Sequence, residues 1–255
     1  NRELDGKIFP LKDRKPGKNY PPMHPWCRST TISVIDEETL RNMKRSAYNP
    51  KTGRTETVPA NMTYDQWYKK YVKGNAKAEA EEKSIQNAAS DKKQYERYRE
   101  ILGKDAPKRF ADFQEMKYND PEKWRFTKLD YQRRNELLQH PELKLPNAEN
   151  AMAADAKFEK YLFGGSHPEG LAKGNAFSSR LGYDAENWNS LKKQIIARAP
   201  QYPALSKGVN GYGKHMYEQK IVLYGLKGTP ANVVVGWSAD DKSVTMASAY
   251  IKEVK

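Results

Sequence analysis

The sequence predicts an α+β protein: a helical N-terminal and middle region, then a small domain of helices packed on an antiparallel sheet of three or more strands. Three observations predict it. Apolar residues recur at helical spacing from Thr63 to Ile196. The period then changes to β-branched and aromatic runs from Tyr217, a helices-then-strands order that marks α+β folds. A polar stretch over 139–150, punctuated by Pro141 and Pro146, marks the expected domain boundary. The expected segments are 1–35, a mainly helical connector over 36–150, and an α+β domain over 151–255.

Within residues 1–35, Lys7-Ile8-Phe9 and Ser29 to Val34 are expected as two short strands. The loop between them holds Pro16-Gly17, Pro21-Pro22 and Pro25, which block helix. A helix over 36–48 is expected, capped by Asp36, followed by a turn at Asn49-Pro50-Lys51-Thr52-Gly53. Thr63-Tyr64-Asp65-Gln66 fits a capping box, and Tyr64, Trp67, Tyr68 and Tyr71 then form one aromatic face that reads as a packing surface. Residues 75–102 read as one solvated helix with a thin seam of Tyr95, Tyr98 and Leu102, broken by Gly103 and Pro107. Further helices are expected around Phe110–Met116 and over Trp124–Leu138.

Ala151–Phe163 is predicted helical, closed by Gly164-Gly165, and Asp184 is expected to cap a helix carrying Trp188, Leu191, Ile195 and Ile196. Three strands are expected at Tyr217–Tyr224, Asn232–Trp237 and Ser243–Val254, joined by short turns into a meander.

The 255 residues carry a formal net charge of +13, which attracts polyanions and equally serves solubility. The cationic excess is spread along the chain and marks no single face. The mean hydropathy of −0.97 is polar for one compact body, so part of the chain is expected to be weakly cored. A single cysteine, Cys27, excludes an intrachain disulfide framework. No run reaches the 18 apolar residues that mark a membrane span, so no membrane partner is expected. The start at Asn1, without Met or an apolar leader, reads as a fragment or processed product. Nothing has the order of a P-loop, a dinucleotide fingerprint, an HExxH or a CxxC pair, and no cofactor is expected.

Leu4-Asp5-Gly6-Lys7, then Gly17-Lys18-Asn19-Tyr20-Pro21-Pro22-Met23-His24-Pro25-Trp26-Cys27-Arg28-Ser29-Thr30-Thr31, resembles the C-terminal signature of phage Mu F-like minor head proteins, which assist head assembly at the portal. The resemblance covers about the first 35 residues and continues more weakly through Tyr48–Tyr71. It implies portal or capsid partners and a location in the virion or the bacterial cytoplasm. In that family a CxxC pair just upstream of the Leu4-Asp5-Gly6 segment joins the HPxC step in what looks like a zinc site. Only His24 and Cys27 stand in this chain, whereas a closed site needs four ligands. The upstream pair is expected to fall before Asn1.

Two further stretches resemble a domain of prokaryotic polymorphic toxins. One runs from Lys160-Tyr161-Leu162-Phe163 through His167-Pro168-Glu169-Gly170-Leu171-Ala172-Lys173 to Leu181-Gly182-Tyr183. The other comprises Tyr212-Gly213, Leu223-Tyr224-Gly225, Trp237 and Ser248-Ala249-Tyr250. That domain is similar in layout to the barnase–EndoU–colicin–RelE ribonucleases. The resemblance implies metal-independent cleavage of RNA, with tRNA one candidate substrate, and an acidic immunity protein as partner.

Such cleavage needs a base for the ribose 2′-hydroxyl, an acid for the leaving oxygen and cations for the phosphorane charge. His167 and His215 are the histidines of the C-terminal domain, and imidazole suits proton transfer near neutral pH. Lys173, Arg180 and Lys214 are candidate phosphate clamps. Ser248 and Tyr250 lie two apart on the last expected strand, hence on one face. Each also has a structural reading: His167 as a turn residue before Pro168, Arg180 as a solvated helical charge, Tyr250 as a packing residue. Gly174-Asn175-Ala176 departs from the related domain's lysine-plus-aromatic segment, and Ser248 stands where that domain is expected to have threonine.

Two other readings stay open. The whole chain also reads as a non-catalytic minor virion protein whose C-terminal domain is an interaction module. An ADP-ribosyltransferase fits less well, because the late Glu-x-Glu it requires is missing.

Overall fold

The computed structural model describes residues 2–24, 27, 29–34 and 36–254. It is α+β, and the chain divides into two compact units, 1–88 and 89–255.

In the first unit, Lys7–Phe9 and the described residues of 29–34 form no strand. Pro10 lacks an N–H to donate, and among the described residues no strand pairing includes either stretch. Pro25, Trp26 and Arg28 of the head-protein signature lie outside the described residues. Helix α1 is Glu37–Asn42, and the Asp36 side chain accepts from Thr39 N at 2.6 Å. The helix stops there, short of the expected residue 48. Lys44–Asn49 (β1) instead pairs antiparallel with Arg54–Pro59 (β2) around the predicted turn. Thr63 caps α2 (Tyr64–Tyr71) with both hydrogen bonds of the capping box. The aromatic face of α2 is a packing face: Trp67 Nε1 donates to Tyr48 O at 2.8 Å, and Tyr71 is buried. Helix α3 covers Ala76–Gln86 and α4 Ala88–Leu102, so Asn87 interrupts the single helix expected over 75–102.

In the second unit, α4, α5 (Phe110–Asn119) and α6 (Pro121–Gln139) share an aromatic core. Phe113 is fully buried, and the Tyr98 and Tyr131 rings stack with centroids 4.1 Å apart. The main core lies on one face of a five-stranded sheet, order β3-β7-β6-β5-β4. These strands are β3 (Ala151–Met152), β4 (Ala204–Val209), β5 (His215–Tyr224), β6 (Pro230–Ala239) and β7 (Val244–Ile251). β4 through β7 form an antiparallel meander, whereas β3 joins β7 in parallel. Ile221, Leu223, Val233, Val235 and Val244 alternate along the strands toward α7 (Pro168–Leu181) and α8 (Trp188–Arg198). Trp237 is fully buried, and its Nε1 donates to Gln219 Oε1 at 2.8 Å. Gln219 in turn donates to Ala199 O and Tyr202 O, so its buried amide is satisfied.

The helix expected over 151–163 forms only over residues 155–162. Ala151 and Met152 pair with β7, and a turn of π-helix follows over Lys157–Leu162. Helix α8 starts from Asn187 rather than Asp184, whose side chain accepts from the N–H groups of Glu186 and Asn187.

The 139–150 stretch does not separate two bodies. Helix α6 is tied to the sheet by a buried ionic cluster. Asp130, with no exposed surface, accepts from Arg134 Nε at 2.8 Å, from Tyr224 OH at 3.0 Å, and from Tyr202 OH. Asp105 accepts from Arg134 at 2.6 Å and from Arg198 at 2.8 Å. Burial and then the charge of Asp130 push the Tyr202 phenol up to about 12 and raise Tyr224 as well.

Candidate active site

Helix α7 and the π-turn build the candidate site between them. Pro168 opens α7 at its first position, where a missing N–H costs nothing, and Gly182 closes it with φ of 78°. Gly170 and Gly174 face the π-turn so closely that a Cβ on them would lie 2.2 Å from Tyr161 O and 1.8 Å from Leu162 O. No side chain fits there, so these glycines set the approach of α7 to the turn. Phe158, Leu162, Phe177 and Leu181 seal the contact from below, all buried.

That approach gathers five of the residues quoted for the toxin resemblance. The Lys173 ammonium lies 5.7 Å from the centroid of the Tyr161 ring and 5.8 Å from that of Tyr250. The Tyr161 ring stands 5.4 Å from the His167 ring. Glu169 Oε2 is 3.8 Å from Lys173 Nζ, one helical turn away. Lys173, Tyr161 and Tyr250 are half-buried, whereas His167 and Glu169 are exposed. The result is an ammonium flanked by two phenol rings, with an imidazole and a carboxylate at its margin. Ser248 lies two residues before Tyr250, about 6.6 Å along the strand, with its Oγ over Gly236.

His215 is not part of this group. Lys220, Val234 and Tyr250 are cross-strand partners, and His215 precedes Lys220 by five residues. At about 3.3 Å per residue, His215 therefore sits about 17 Å further along the sheet and two strands, about 10 Å, across it. Lys214 accompanies it there, 3.6 Å from Asp240. A mechanism that joins His215, Lys173 and Tyr250 around one phosphate is excluded by this register. Arg180 is also engaged elsewhere: it donates to Pro230 O at 3.0 Å and to Glu122 at 2.6 Å. Tyr161 and Glu169 were not singled out from the sequence. Their place in the quoted segment, eight residues apart across a Gly-Gly break, gave no periodic signal.

At the other end of the chain, Cys27 N donates to His24 O at 3.1 Å. The Met23 backbone, the Ser29 side chain and His24 together hold the Cys27 thiol down at about 7. Among the described residues, no cluster of three or more His, Cys, Asp or Glu could hold a metal ion. Two donors do not close a zinc site.

Residues 144–253 match the model of a family described as a domain of unknown function (DUF6883). No curated protein and no solved structure matches the chain. The matched segment contains the whole Tyr161–His167–Lys173–Tyr250 group and all five strands of the larger sheet, but stops short of α6. No helix among the described residues is long and apolar enough to cross a membrane.

Proposed function

We propose that the C-terminal sheet and its helices form a metal-independent endoribonuclease, carried by a phage-head-associated polymorphic toxin. The observation that supports this most is the Lys173 ammonium held between the Tyr161 and Tyr250 rings beside His167 and Glu169. Lys173 holds the scissile phosphate as a point charge. The Tyr250 hydroxyl donates to a non-bridging oxygen, where charge grows in the transition state. His167 and Glu169 are the two proton carriers. The 2′-oxygen bonds to phosphorus as its proton passes to one of them. The bond to the 5′-oxygen breaks as that oxygen takes a proton from the other, leaving a 2′,3′-cyclic phosphate. The net charge of +13 favours RNA as substrate and an acidic inhibitor as protein partner. The head-protein signature supports portal or capsid proteins as further partners.

The distance of His215 from the group favours one rival, a non-catalytic interaction module with a polyanion-binding patch. One experiment separates the two. The full chain is incubated with total RNA in EDTA and the products are resolved on a denaturing gel. Discrete fragments are expected, with His167→Ala and Lys173→Ala slowing cleavage at least about a hundredfold and His215→Ala leaving it unchanged. Intact RNA from a folded sample overturns the nuclease reading.

A further inference from the structure

The His167 imidazole is exposed, and among the described residues it has no hydrogen-bond partner. Such a side chain samples its rotamers freely unless a neighbour holds it. The Tyr161 ring is that neighbour, with its centroid 5.4 Å from the imidazole and the planes tilted by 38°, a separation at which aromatic rings attract. Tyr161 is itself rigidly mounted. It sits in the π-turn, and turns of this kind occur frequently at functional sites. The carbonyls of Glu159, Lys160, Tyr161 and Leu162 each meet a glycine: a Cβ on Gly164, Gly165, Gly170 or Gly174 would lie 1.8 to 2.2 Å from them. A Cβ on Gly170 would also lie 3.1 Å from Tyr161 Cδ2, so the ring rests on the bare backbone of the first turn of α7.

Two ammonium groups also face this ring, Lys173 at 5.7 Å and Lys157 at 6.0 Å from its centroid. Lys173 has other neighbours, the Tyr250 ring at 5.8 Å and Glu169 at 3.8 Å, and keeps its place without Tyr161. His167 does not. The Tyr161 hydroxyl has no hydrogen-bond partner among the described residues, so the ring alone makes the contact. We infer that Tyr161 is the positioning residue for His167: its ring holds the imidazole beside Lys173 and acts on the reaction only through that imidazole. A proton carrier works only within hydrogen-bond reach of its proton, and a displacement of about 1 Å costs about a hundredfold in rate. The kinetic consequence rests on the nuclease reading; the hold of one ring on the other does not.

The test is single-turnover cleavage of an RNA oligonucleotide by the full chain. Tyr161→Leu is expected to slow it by about ten- to a hundredfold, and Tyr161→Phe, which keeps the ring, to rescue it. In a chain that already carries His167→Ala, Tyr161→Leu is expected to cost less than about twofold more, because the two residues act as one. Affinity for a 2′-O-methyl RNA oligonucleotide, and its salt slope, are expected to stay as they were in Y161L, since Lys173 remains in place. Full-rate cleavage by Y161L overturns the inference, as do losses that multiply in the double variant. A lower salt slope in Y161L also overturns it, because the ring would then act through Lys173. Should Y161L fail to fold, proton magnetic resonance of the unaltered chain decides. Cross-relaxation between the ring protons of His167 and Tyr161 is expected, and the shifts of a free histidine without it overturn the hold. If the unaltered chain leaves RNA intact, the nuclease reading alone falls. The His167 resonances, displaced in Y161L but not in Y161F, then still test the hold.

Discussion

Replacing Asp130 by Ala removes the centre of the buried ionic cluster. Asp130 accepts from Arg134, Tyr202 and Tyr224, and Arg198 lies 3.9 Å away. Without it, two buried guanidinium groups share Asp105 alone, and two phenol hydroxyls lose their acceptor. Removing one partner of a buried ion pair costs about 3–5 kcal/mol, because the remaining charge stays desolvated and unmatched. For a body of this size, about 2–4 °C per kcal/mol translates that into a midpoint lowered by roughly 6–20 °C. Urea and thermal unfolding followed by circular dichroism at fixed salt measure it. An internal control is at hand. Arg109 and Asp112 also form a short pair, at 2.6 Å, but with side chains 77% and 42% exposed. Arg109→Ala is expected to change stability by no more than about 0.5 kcal/mol. A loss below about 1 kcal/mol in D130A, or an equal loss in R109A, refutes the claim that this cluster joins α6 to the sheet.

Three further outcomes are expected. Tyr202 keeps its proton up to about 12 in the fold, whereas an unfolded tyrosine releases it near 10. Its contribution is therefore complete below pH 10 and is lost as pH rises toward 12, at about 1.4 kcal/mol per pH unit. Urea midpoints taken across that window should fall, and Tyr202→Phe should make the fall shallower. Gly174→Ala places a methyl 1.8 Å from Leu162 O, so α7 must move off the π-turn at a cost of about 1–3 kcal/mol. Binding of a non-cleavable RNA should weaken in the same variant, because Lys173 moves with the helix. Lys173→Ala should lower the slope of log affinity against log salt by about one for a non-cleavable oligonucleotide, read by fluorescence anisotropy. An unchanged slope removes Lys173 from the phosphate contacts.

The legible parts of this fold are those where one residue type serves both local preference and burial. Ile221, Val222, Leu223 and Val233–Val235 are β-branched or aliphatic and fully or nearly fully buried, so β5 and β6 stand out from the sequence. β1 and β4 do not. Their residues, Lys44-Arg45-Ser46 and Ser206-Lys207-Gly208 among them, are exposed and polar, and only their register with a partner makes them strands. The cluster around Asp130 was hidden for another reason. Asp130 and Arg134 are four apart on a helix and look like a solvated surface pair, whereas Tyr202 reaches them from 72 residues away. The candidate site shows both cases. Lys173 and Tyr250 were readable as chemistry, but which histidine joins them depended on strand register. Of the glycines that bring Tyr161 to Lys173, Gly174 reads in the sequence as a departure from the related domain rather than as the hinge pin of the site.

The ionic cluster also sets how much of the chain the C-terminal sheet needs around it. The family match begins at residue 144, so it takes Arg198, Tyr202 and Tyr224 along and leaves Asp105, Asp130 and Arg134 behind. A recombination event that moved the matched stretch alone would deliver one buried cation and two phenols without their carboxylates. The recipient must then contribute carboxylates of its own or exchange those three side chains for apolar ones. Helix α6 is in that sense cargo that must move with the sheet, and a gene fusion cut upstream of Ala89 preserves what one cut at residue 144 destroys.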